Sequence, residues 1–214
     1  MIGTVPIPFI FIHIPKCAGT SIEKAFIPII SDRRGFEDLP DDERTKLWLP
    51  GVMGLQHSKL YQYAEHFKLE EHFKFAFVRN PWDRAISQIE YLRLRSGTSI
   101  FPNNNLRENL KIYCASKKTI ESQDLSASQI DYLRTCSGKV SVDFLGRFES
   151  LADDFQKVCR LLGMEITPEL PHIFNSQRSR HYSAFYDAES TEWIRARFAE
   201  DIEFFGYEFD DSEK

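Results

Sequence analysis

The stretch FIFIHIPKCAGTSIEKAF, residues 9–26, decides the fold of this chain. An apolar run leads into a Pro-Lys-Cys-Ala-Gly-Thr-Ser loop, and apolar side chains recur at helical spacing after the loop. The pattern predicts a strand over Phe9–Ile14, a tight turn and a helix over Ser21–Phe26. A turn of this kind can bind phosphate, hold a reactive cysteine or simply reverse the chain.

Small residues and a lysine favour an anion site in this loop. Ala18 and Gly19 let the backbone approach a ligand closely, and Thr20 with Glu23 forms the pattern of a capping box. The N–H groups at a helix start attract anions, and Lys16 adds a full positive charge. The loop therefore predicts a phosphate-sized site at the end of a strand.

The spacing of the loop argues against two familiar kinds of enzyme. A Walker A loop places its lysine directly before Ser or Thr, whereas Lys16 lies four positions before Thr20. An ordinary kinase or NTPase is therefore disfavoured. A phosphatase-like cysteine loop needs an arginine several residues after the thiol, but Ala-Gly-Thr-Ser-Ile-Glu-Lys follows Cys17. A capped turn without a ligand stays open at this point.

Length and composition limit the remaining classes of protein. The 214 residues suit one α/β domain covering 1–214, and a net charge of −5 argues against a nucleic-acid binder. We find no integral membrane segment or targeting segment, because the first apolar run is too short to cross a bilayer. The four cysteines are too far apart for a zinc pattern, so we expect no metal and a reducing, cytoplasmic location.

Strands and helices alternate along the chain. Further strands are predicted over Lys74–Arg79 and Val140–Arg147, which indicates an α/β fold with a parallel sheet flanked by helices. Irregular segments are predicted at Ser31–Gly54 and Ser96–Asn105. The further predicted helices are Trp82–Arg95, Leu106–Ala115, Ser128–Leu133, Leu151–Leu162 (ending at Gly163) and Thr191–Phe205 (ending at Gly206).

A second motif, FAFVRNPWDRAIS at residues 75–87, repeats the strand-to-helix arrangement with other side chains. Asn80 suits the N-cap, and the proline after it suits the first helical position. Arg79 at the strand end and Ser87 on the helix could together bind one phosphate. The alternative is an arginine paired with Asp83 and a surface serine.

The two motifs together resemble the sulfotransferases that use 3′-phosphoadenosine 5′-phosphosulfate (PAPS). PKCAGTS and VRNPWDRAIS are most similar to the branch that contains the carbohydrate O-sulfotransferases of the Golgi and their bacterial relatives. The similarity continues through Val142–Leu162 and the stretch FAEDIEFFGYEF, and so covers most of the chain.

The resemblance implies a three-layer, P-loop-like α/β fold and a binding site for PAPS without a metal. It implies that Arg79 and Ser87 bind the 3′-phosphate of the donor. The residues that it assigns to the 5′-phosphosulfate are Lys16 and the backbone of Cys17, Ala18, Gly19, Thr20 and Ser21.

Sulfuryl transfer resembles phosphoryl transfer, so it needs charge stabilisation and a base. We expect Lys16 to stabilise the leaving phosphate. His57 is the candidate base, because relatives carry a histidine before a helix at this place; the alternative is a histidine in a local hydrogen bond. The acidic residues of the preceding irregular segment are weaker candidates for the base: Glu37, Asp38 and Glu43.

The segment NSQRSRHY, residues 175–182, is similar to one that lies near the nucleotide or the acceptor in relatives. Its Arg178, Arg180 and His181 either close over the cofactor or form a solvated basic loop. Trp48 and Tyr61–Tyr63 are candidates to line a carbohydrate or small-molecule acceptor, whereas Trp82 is predicted to be core.

Two other functions stay open on the sequence. One is a module that binds an adenosine bisphosphate without catalysis, and the other, less favoured, is a P-loop kinase of small molecules.

Overall fold

The computed structural model describes residues 1–31, 57–65, 67–95, 101, 105–117, 119–120, 123–124, 127–171 and 180–211. The chain separates into two compact units. The first combines Met1–Val78 with Asp131–Phe174, and the second combines Arg79–Ile130 with Asn175–Lys214. A single domain over 1–214 stays a prediction.

The helices and strands follow one another along the described chain. They are β1 (Ile2–Thr4), β2 (Pro8–Ile12), α1 (Gly19–Ser31), α2 (Leu60–Tyr63), β3 (Phe73–Val78), α3 (Pro81–Arg95), α4 (Leu106–Ala115), β4 (Thr119–Ile120), β5 (Gln123–Asp124), α5 (Gln129–Tyr132), β6 (Phe144–Arg147), α6 (Leu151–Leu161), α7 (Ala188–Arg197) and α8 (Ala199–Phe205). Short 3₁₀ turns lie at Leu69–Glu71, Phe148–Ser150 and Tyr182–Phe185.

The sheet of the first unit has the strand order β1-β2-β3-β6 within the described residues. Strands β2, β3 and β6 are parallel, with Phe11 opposite Phe75 and Phe75 opposite Phe144. Strand β1 runs antiparallel to β2, so the sheet is mixed rather than wholly parallel. The predicted α/β fold with a mostly parallel sheet flanked by helices is confirmed, and the antiparallel edge is the detail that the sequence pattern did not indicate.

Aromatic side chains pack the helices of the first unit onto its sheet. The ring of Phe9 lies 5.1 Å from that of Phe26 in α1, and Phe26 lies 5.5 Å from Phe155 in α6. Helix α6 ends as predicted at Gly163, whose φ of 73° is the left-handed conformation typical of a helix C-terminus. This packing fixes the start of α1 relative to the end of β2.

The second unit has its own core, formed mainly by residues of α3, α4 and α7 together with the 3₁₀ turn at Tyr182–Phe185. Trp82 is fully buried in that core, and its indole N–H donates to the carbonyl of Thr191 at 3.0 Å. The prediction that Trp82 is core is therefore confirmed.

The prediction of one long helix over Thr191–Phe205 is wrong, because two helices, α7 and α8, cover this region. The backbone leaves helical geometry at Phe198, which is buried with its ring 6.0 Å from that of Tyr113. The predicted stop at Gly206 is confirmed by its left-handed φ of 65°. The irregular segment predicted at Ser31–Gly54 lies almost wholly outside the described residues, as does most of Ser96–Asn105.

Candidate functional site

The turn between β2 and α1 is built on left-handed backbone. Lys16 has a φ of 69° and Ala18 a φ of 63°, although neither is glycine. An L-residue in this conformation costs roughly 1–2 kcal/mol, so the turn stores strain that the surrounding structure holds. Alternation of left-handed residues with ordinary ones turns successive N–H groups toward one concave surface, which is a known way to bind anions.

Helix α1 begins where that turn ends. The carbonyl of Ala18 accepts hydrogen bonds from the N–H groups of Ser21 at 3.0 Å and Ile22 at 3.2 Å, so Ala18 occupies the N-cap position. The predicted cap at Thr20 is wrong, because Thr20 already lies in the first turn of the helix. Helix geometry leaves the N–H groups of Gly19 and Thr20 without intrahelical acceptors, and the helix dipole adds a positive end there.

Gly19 is required by the close approach of a histidine ring. A Cβ at this position would lie 2.0 Å from Cδ2 and 2.1 Å from Nε2 of His13, which is far closer than any real contact. The backbone of the loop therefore lies directly against the His13 ring. The result is a cradle with no room for a side chain at its centre.

Cys17 presents its backbone rather than its thiol. The residue is buried, and its Sγ donates to the carbonyl of Pro15 at 3.6 Å. A buried thiol in a hydrogen bond is a poor nucleophile, since reactivity needs an exposed thiolate. The geometry favours the interpretation of Cys17 as part of the loop framework.

A buried polar contact that the sequence did not predict lies under the loop. Nδ1 of His13 is 3.0 Å from Oε1 of Glu23, and both residues are buried. The sequence pattern had placed Glu23 in the capping box with Thr20. No local signal joins two residues ten positions apart across a strand-to-helix turn, so the pair could be found only in three dimensions.

His57 lies against His13, the residue whose ring packs against the loop at Gly19. Its Nδ1 is 3.2 Å from the carbonyl oxygen of His13, and the two rings make an edge-to-face contact at 4.6 Å. Because a carbonyl can only accept, the proton of neutral His57 is on Nδ1, and Nε2 carries the lone pair. This arrangement leaves Nε2 able to take a proton from a substrate.

The pKa of His57 is lowered from its ordinary 6.5 to about 4. Burial is the main cause, the interaction with His13 is the second, and the charge of Lys16 contributes in the same direction. His57 is therefore neutral at pH 7. A bound anion near Lys16 would offset these effects and raise the pKa toward the range of an effective base.

The second motif forms a capped helix start in the second unit. Asn80 accepts a hydrogen bond from the N–H of Trp82 at 3.1 Å, and α3 begins at Pro81, so both cap predictions are confirmed. Nε and Nη2 of Arg79 each lie 2.7 Å from Oδ2 of Asp83, which is the alternative pairing considered for this arginine. The pair is nearly buried, with 7% and 16% of the two side chains exposed.

Ser87 lies one helical turn after Asp83 and is half-buried. Residues four apart share one face of a helix, so Ser87 is on the face of α3 to which Asp83 holds the Arg79 guanidinium. Asp83 and Ser87 thus share one face of α3, and the Arg79 guanidinium contacts the first of them.

Of the basic segment before the last helices, the structure describes residues 180–182. The hydroxyl of Tyr182 is 3.3 Å from Nδ2 of Asn80, so His181 and Arg180 are close in sequence to a residue in contact with the turn at Arg79. Arg180 is exposed. Arg178 lies outside the described residues.

His181 has a defined hydrogen-bonding state. Its Nδ1 is 2.9 Å from the hydroxyl of Ser183 and also accepts from the N–H of that residue, so the proton of the neutral ring is on Nε2. That Nε2 is 3.9 Å from a carboxylate oxygen of Asp210. The hydroxyl of Ser183 belongs to a buried residue, so the three side chains do not form a nucleophilic triad.

The candidate acceptor residues separate in the structure. Tyr63 is fully buried and belongs to the core, which removes it as a surface for an acceptor, while Tyr61 is exposed. The other acceptor candidate, Trp48, lies outside the described residues, as do the weaker candidates for the base, Glu37, Asp38 and Glu43.

Within the described residues, no group of three or more His, Cys, Asp or Glu side chains could hold a metal ion. Among the described helices, none combines the length and the apolar character needed to cross a membrane.

Comparison with known proteins assigns the family. The model of the family described as "Sulfotransferase family" matches residues 6–208. Among solved structures, a sulfotransferase from Alicyclobacillus acidocaldarius is similar at 16% identity and a TM-score of 0.40, over 96% of this chain and 82% of the other. No curated protein matches. Because the family match extends over nearly the whole chain, this protein belongs to the sulfotransferase family.

Proposed function

We propose that this protein transfers the sulfuryl group of PAPS to a hydroxyl of a carbohydrate or small-molecule acceptor. The observation that carries the proposal is the turn at Lys16–Gly19, where left-handed backbone and a glycine packed against His13 form an anion cradle at the start of α1. Such a cradle suits the 5′-phosphosulfate end of the donor.

A cationic side chain follows each of the strands β2 and β3, which supports a donor nucleotide with phosphate at both its 3′ and 5′ positions. We assign the 5′-phosphosulfate to Lys16 and the backbone from Cys17 to Ser21, and the 3′-phosphate to Arg79 and Ser87. Arg180 and His181 are assigned a supporting role at the nucleotide, because their segment contacts the residue after Arg79 through Tyr182. Arg178 is assigned with them on the resemblance alone.

The donor supplies an activated sulfuryl group, and the chain supplies charge and a base. Nε2 of His57 accepts the proton of the attacking hydroxyl as the new oxygen–sulfur bond forms. The Lys16 ammonium stabilises the charge that develops on the phosphate oxygen as the old sulfur–oxygen bond breaks. The carbonyl of His13 holds the His57 ring in the tautomer that this proton transfer requires.

The proposed location is the cytoplasm. All four cysteines are free thiols, which is the usual state in a reducing compartment.

Calorimetric titration with adenosine 3′,5′-bisphosphate tests the donor. We expect a dissociation constant of roughly micromolar, with weaker binding of AMP because it lacks the 3′-phosphate. Lys16→Ala and Arg79→Ala should each weaken binding of the bisphosphate, while the exposed control Arg195→Ala should not. Equal binding of ATP and the bisphosphate would contradict the assignment and favour a kinase.

A panel of hydroxyl acceptors incubated with labelled PAPS tests the transfer itself. We expect labelled product from the wild-type protein and a loss of about 10²-fold or more in His57→Ala, which is the usual contribution of a general base. Binding of the bisphosphate without any transfer over a broad panel would instead support a non-catalytic binding module.

A further inference from the structure

We propose that Gln129 is a positioning residue for Arg79 and that Asp201 holds Gln129 in place. The inference rests on the proposed function, because it concerns the arginine that we assign to the 3′-phosphate.

One side chain satisfies both peptide groups of Arg79. Oε1 of Gln129 accepts from the Arg79 N–H at 2.8 Å, and Nε2 of Gln129 donates to the Arg79 carbonyl at 2.8 Å. Both residues are buried, Gln129 completely. Strand β3 ends at Val78, one residue before Arg79. The side-chain amide of Gln129 therefore makes with Arg79 the two hydrogen bonds that a neighbouring strand would otherwise make. These two bonds fix the point from which the guanidinium extends.

Asp201 fixes Gln129 in turn. Its Oδ2 accepts from the N–H of Gln129 at 2.8 Å, and its Oδ1 accepts from the N–H of Ile130 at 2.9 Å. These N–H groups are the first two of α5, so a side chain from α8 caps that short helix.

The Asp201 carboxylate, which caps α5, is fully buried. Burial raises the pKa of Asp201, while the charge of Arg84 and the bonds from Gln129 and Ile130 lower it. Arg84 is itself buried, and its charge compensates the carboxylate. A buried charge is costly unless its partners are held in place, so the surroundings allow α5 little freedom to move.

Arg79 is consequently held at both ends. Gln129 fixes its backbone, and Asp83 contacts its guanidinium through Nε and Nη2. A bidentate contact with phosphate depends on placement, and a shift of about 1 Å can cost about 10²-fold in a site of this kind. Loss of Gln129 should therefore weaken recognition of the 3′-phosphate more than binding of the rest of the nucleotide.

The test compares two nucleotides in the Gln129→Met variant. Methionine keeps most of the volume and removes both hydrogen bonds. We expect the preference for adenosine 3′,5′-bisphosphate over AMP, measured by calorimetry, to fall about tenfold, with AMP affinity nearly unchanged. Asp201→Asn should lower the same preference about threefold. In the labelled-PAPS assay, KM for the donor should rise more than kcat falls.

Ser190→Ala is the matched control. It removes the hydrogen bonds between the hydroxyl of the buried Ser190 and the partly exposed Asp187, one of them 2.6 Å long, in the same unit and without touching Arg79. We expect it to lower the free energy of unfolding while leaving the nucleotide preference intact. If it reduces the preference as much as Gln129→Met does, or if Gln129→Met keeps the wild-type preference, the positioning role is wrong.

The double variant Arg79→Ala/Gln129→Met separates this inference from the proposed function. If Gln129 acts through Arg79, the double variant loses no more preference than Arg79→Ala alone. A wild-type protein that binds AMP and the bisphosphate equally would instead overturn the assignment of Arg79 itself. If Gln129→Met does not fold, Gln129→Glu, which keeps the acceptor for the Arg79 N–H, is measured against the same nucleotides.

Discussion

The segments that follow β2 and β3 are both assigned to a phosphate of the donor, but they are built differently. After β2, the backbone itself forms the cradle that we assign to an anion: Lys16 and Ala18 are left-handed, and Gly19 lies against His13. Between β3 and α3, no residue is left-handed, and the group that we assign to an anion is a side chain, that of Arg79. The first junction stores strain in its peptide groups, whereas the second depends on buried partners that hold one long side chain.

This difference predicts which substitutions should damage each of the two junctions, the one after β2 and the one after β3. The shape of a backbone cradle depends on the glycine and on the histidine ring beneath it, whereas its lysine contributes charge rather than shape. An arginine site depends less on the shape of the surrounding backbone and more on the groups that orient the guanidinium. Substitutions at the two junctions should therefore fail in different assays.

Lys16→Met should give the largest effect. We expect kcat to fall about 10²–10³-fold, the usual loss when a group that stabilises transition-state charge is removed, with a smaller change in binding of the bisphosphate. Steady-state kinetics with labelled PAPS provides the measurement. The exposed Lys68→Met, which loses only a surface ion pair with Glu71, is the control. A change confined to KM would assign Lys16 to binding alone.

The pH dependence of stability should reveal His57. Its pKa is about 4 in the folded protein and near 6.5 when unfolded, so the unfolded state binds the proton more readily. Stability from this group is complete above pH 6.5 and falls as the pH drops, by about 3 kcal/mol at pH 4. Urea unfolding of the wild type and His57→Asn between pH 7.5 and pH 4 measures the difference.

Parallel pH curves for these two proteins would mean that His57 is not buried beside His13 as described. Bound bisphosphate should reduce the difference, because its charge raises the pKa of the histidine.

Gly19→Ala should destabilise the first junction by about 1–3 kcal/mol, because the added Cβ overlaps the His13 ring and the loop must shift. Urea unfolding measures the loss. Ala18→Gly, one residue earlier, is the matched contrast: it should be neutral or slightly stabilising, since glycine accepts a φ of 63° without strain. Equal destabilisation by both variants would contradict the geometry of the cradle.

Ser87→Ala should give the smallest effect. Loss of one hydrogen bond to a charged group predicts a decrease of about tenfold or somewhat more in affinity for the bisphosphate and none for AMP. Calorimetry measures both, with the exposed Ser137→Ala as control. An equal loss for the two nucleotides would remove Ser87 from the 3′-phosphate assignment.

The sequence predicts those features that are local. Strands β2 and β3, helix α4 and the caps at Asn80, Gly163 and Gly206 follow from apolar periodicity and capping residues. The predicted cap at Thr20 and the predicted single helix over Thr191–Phe205 are wrong, because tertiary contacts rather than local sequence determine where these helices begin and end. At Phe198, burial of the ring interrupts a pattern that continues in the sequence.

The partners of the candidate site residues could not be predicted in the same way. Glu23 contacts His13 across a turn, His57 bonds to a backbone carbonyl, and Gln129 bonds to the peptide groups of Arg79. A carbonyl has no sequence signature, and Gln129 is fifty residues from its partner. Motifs indicate which residues carry charge, while the residues that orient them depend on tertiary contacts.

The bond from Asp201 to the first turn of α5 also has a consequence for the order in which the protein assembles. Asp201 is about 120 residues beyond Arg79, which the ribosome adds in roughly 6–24 s. The loop at Lys16 and the histidine at position 57 can meet early in synthesis, but Arg79 gains its final support only when α8 has left the ribosomal tunnel. Nascent chains released before Asp201 should therefore carry a finished first junction and an unsupported arginine.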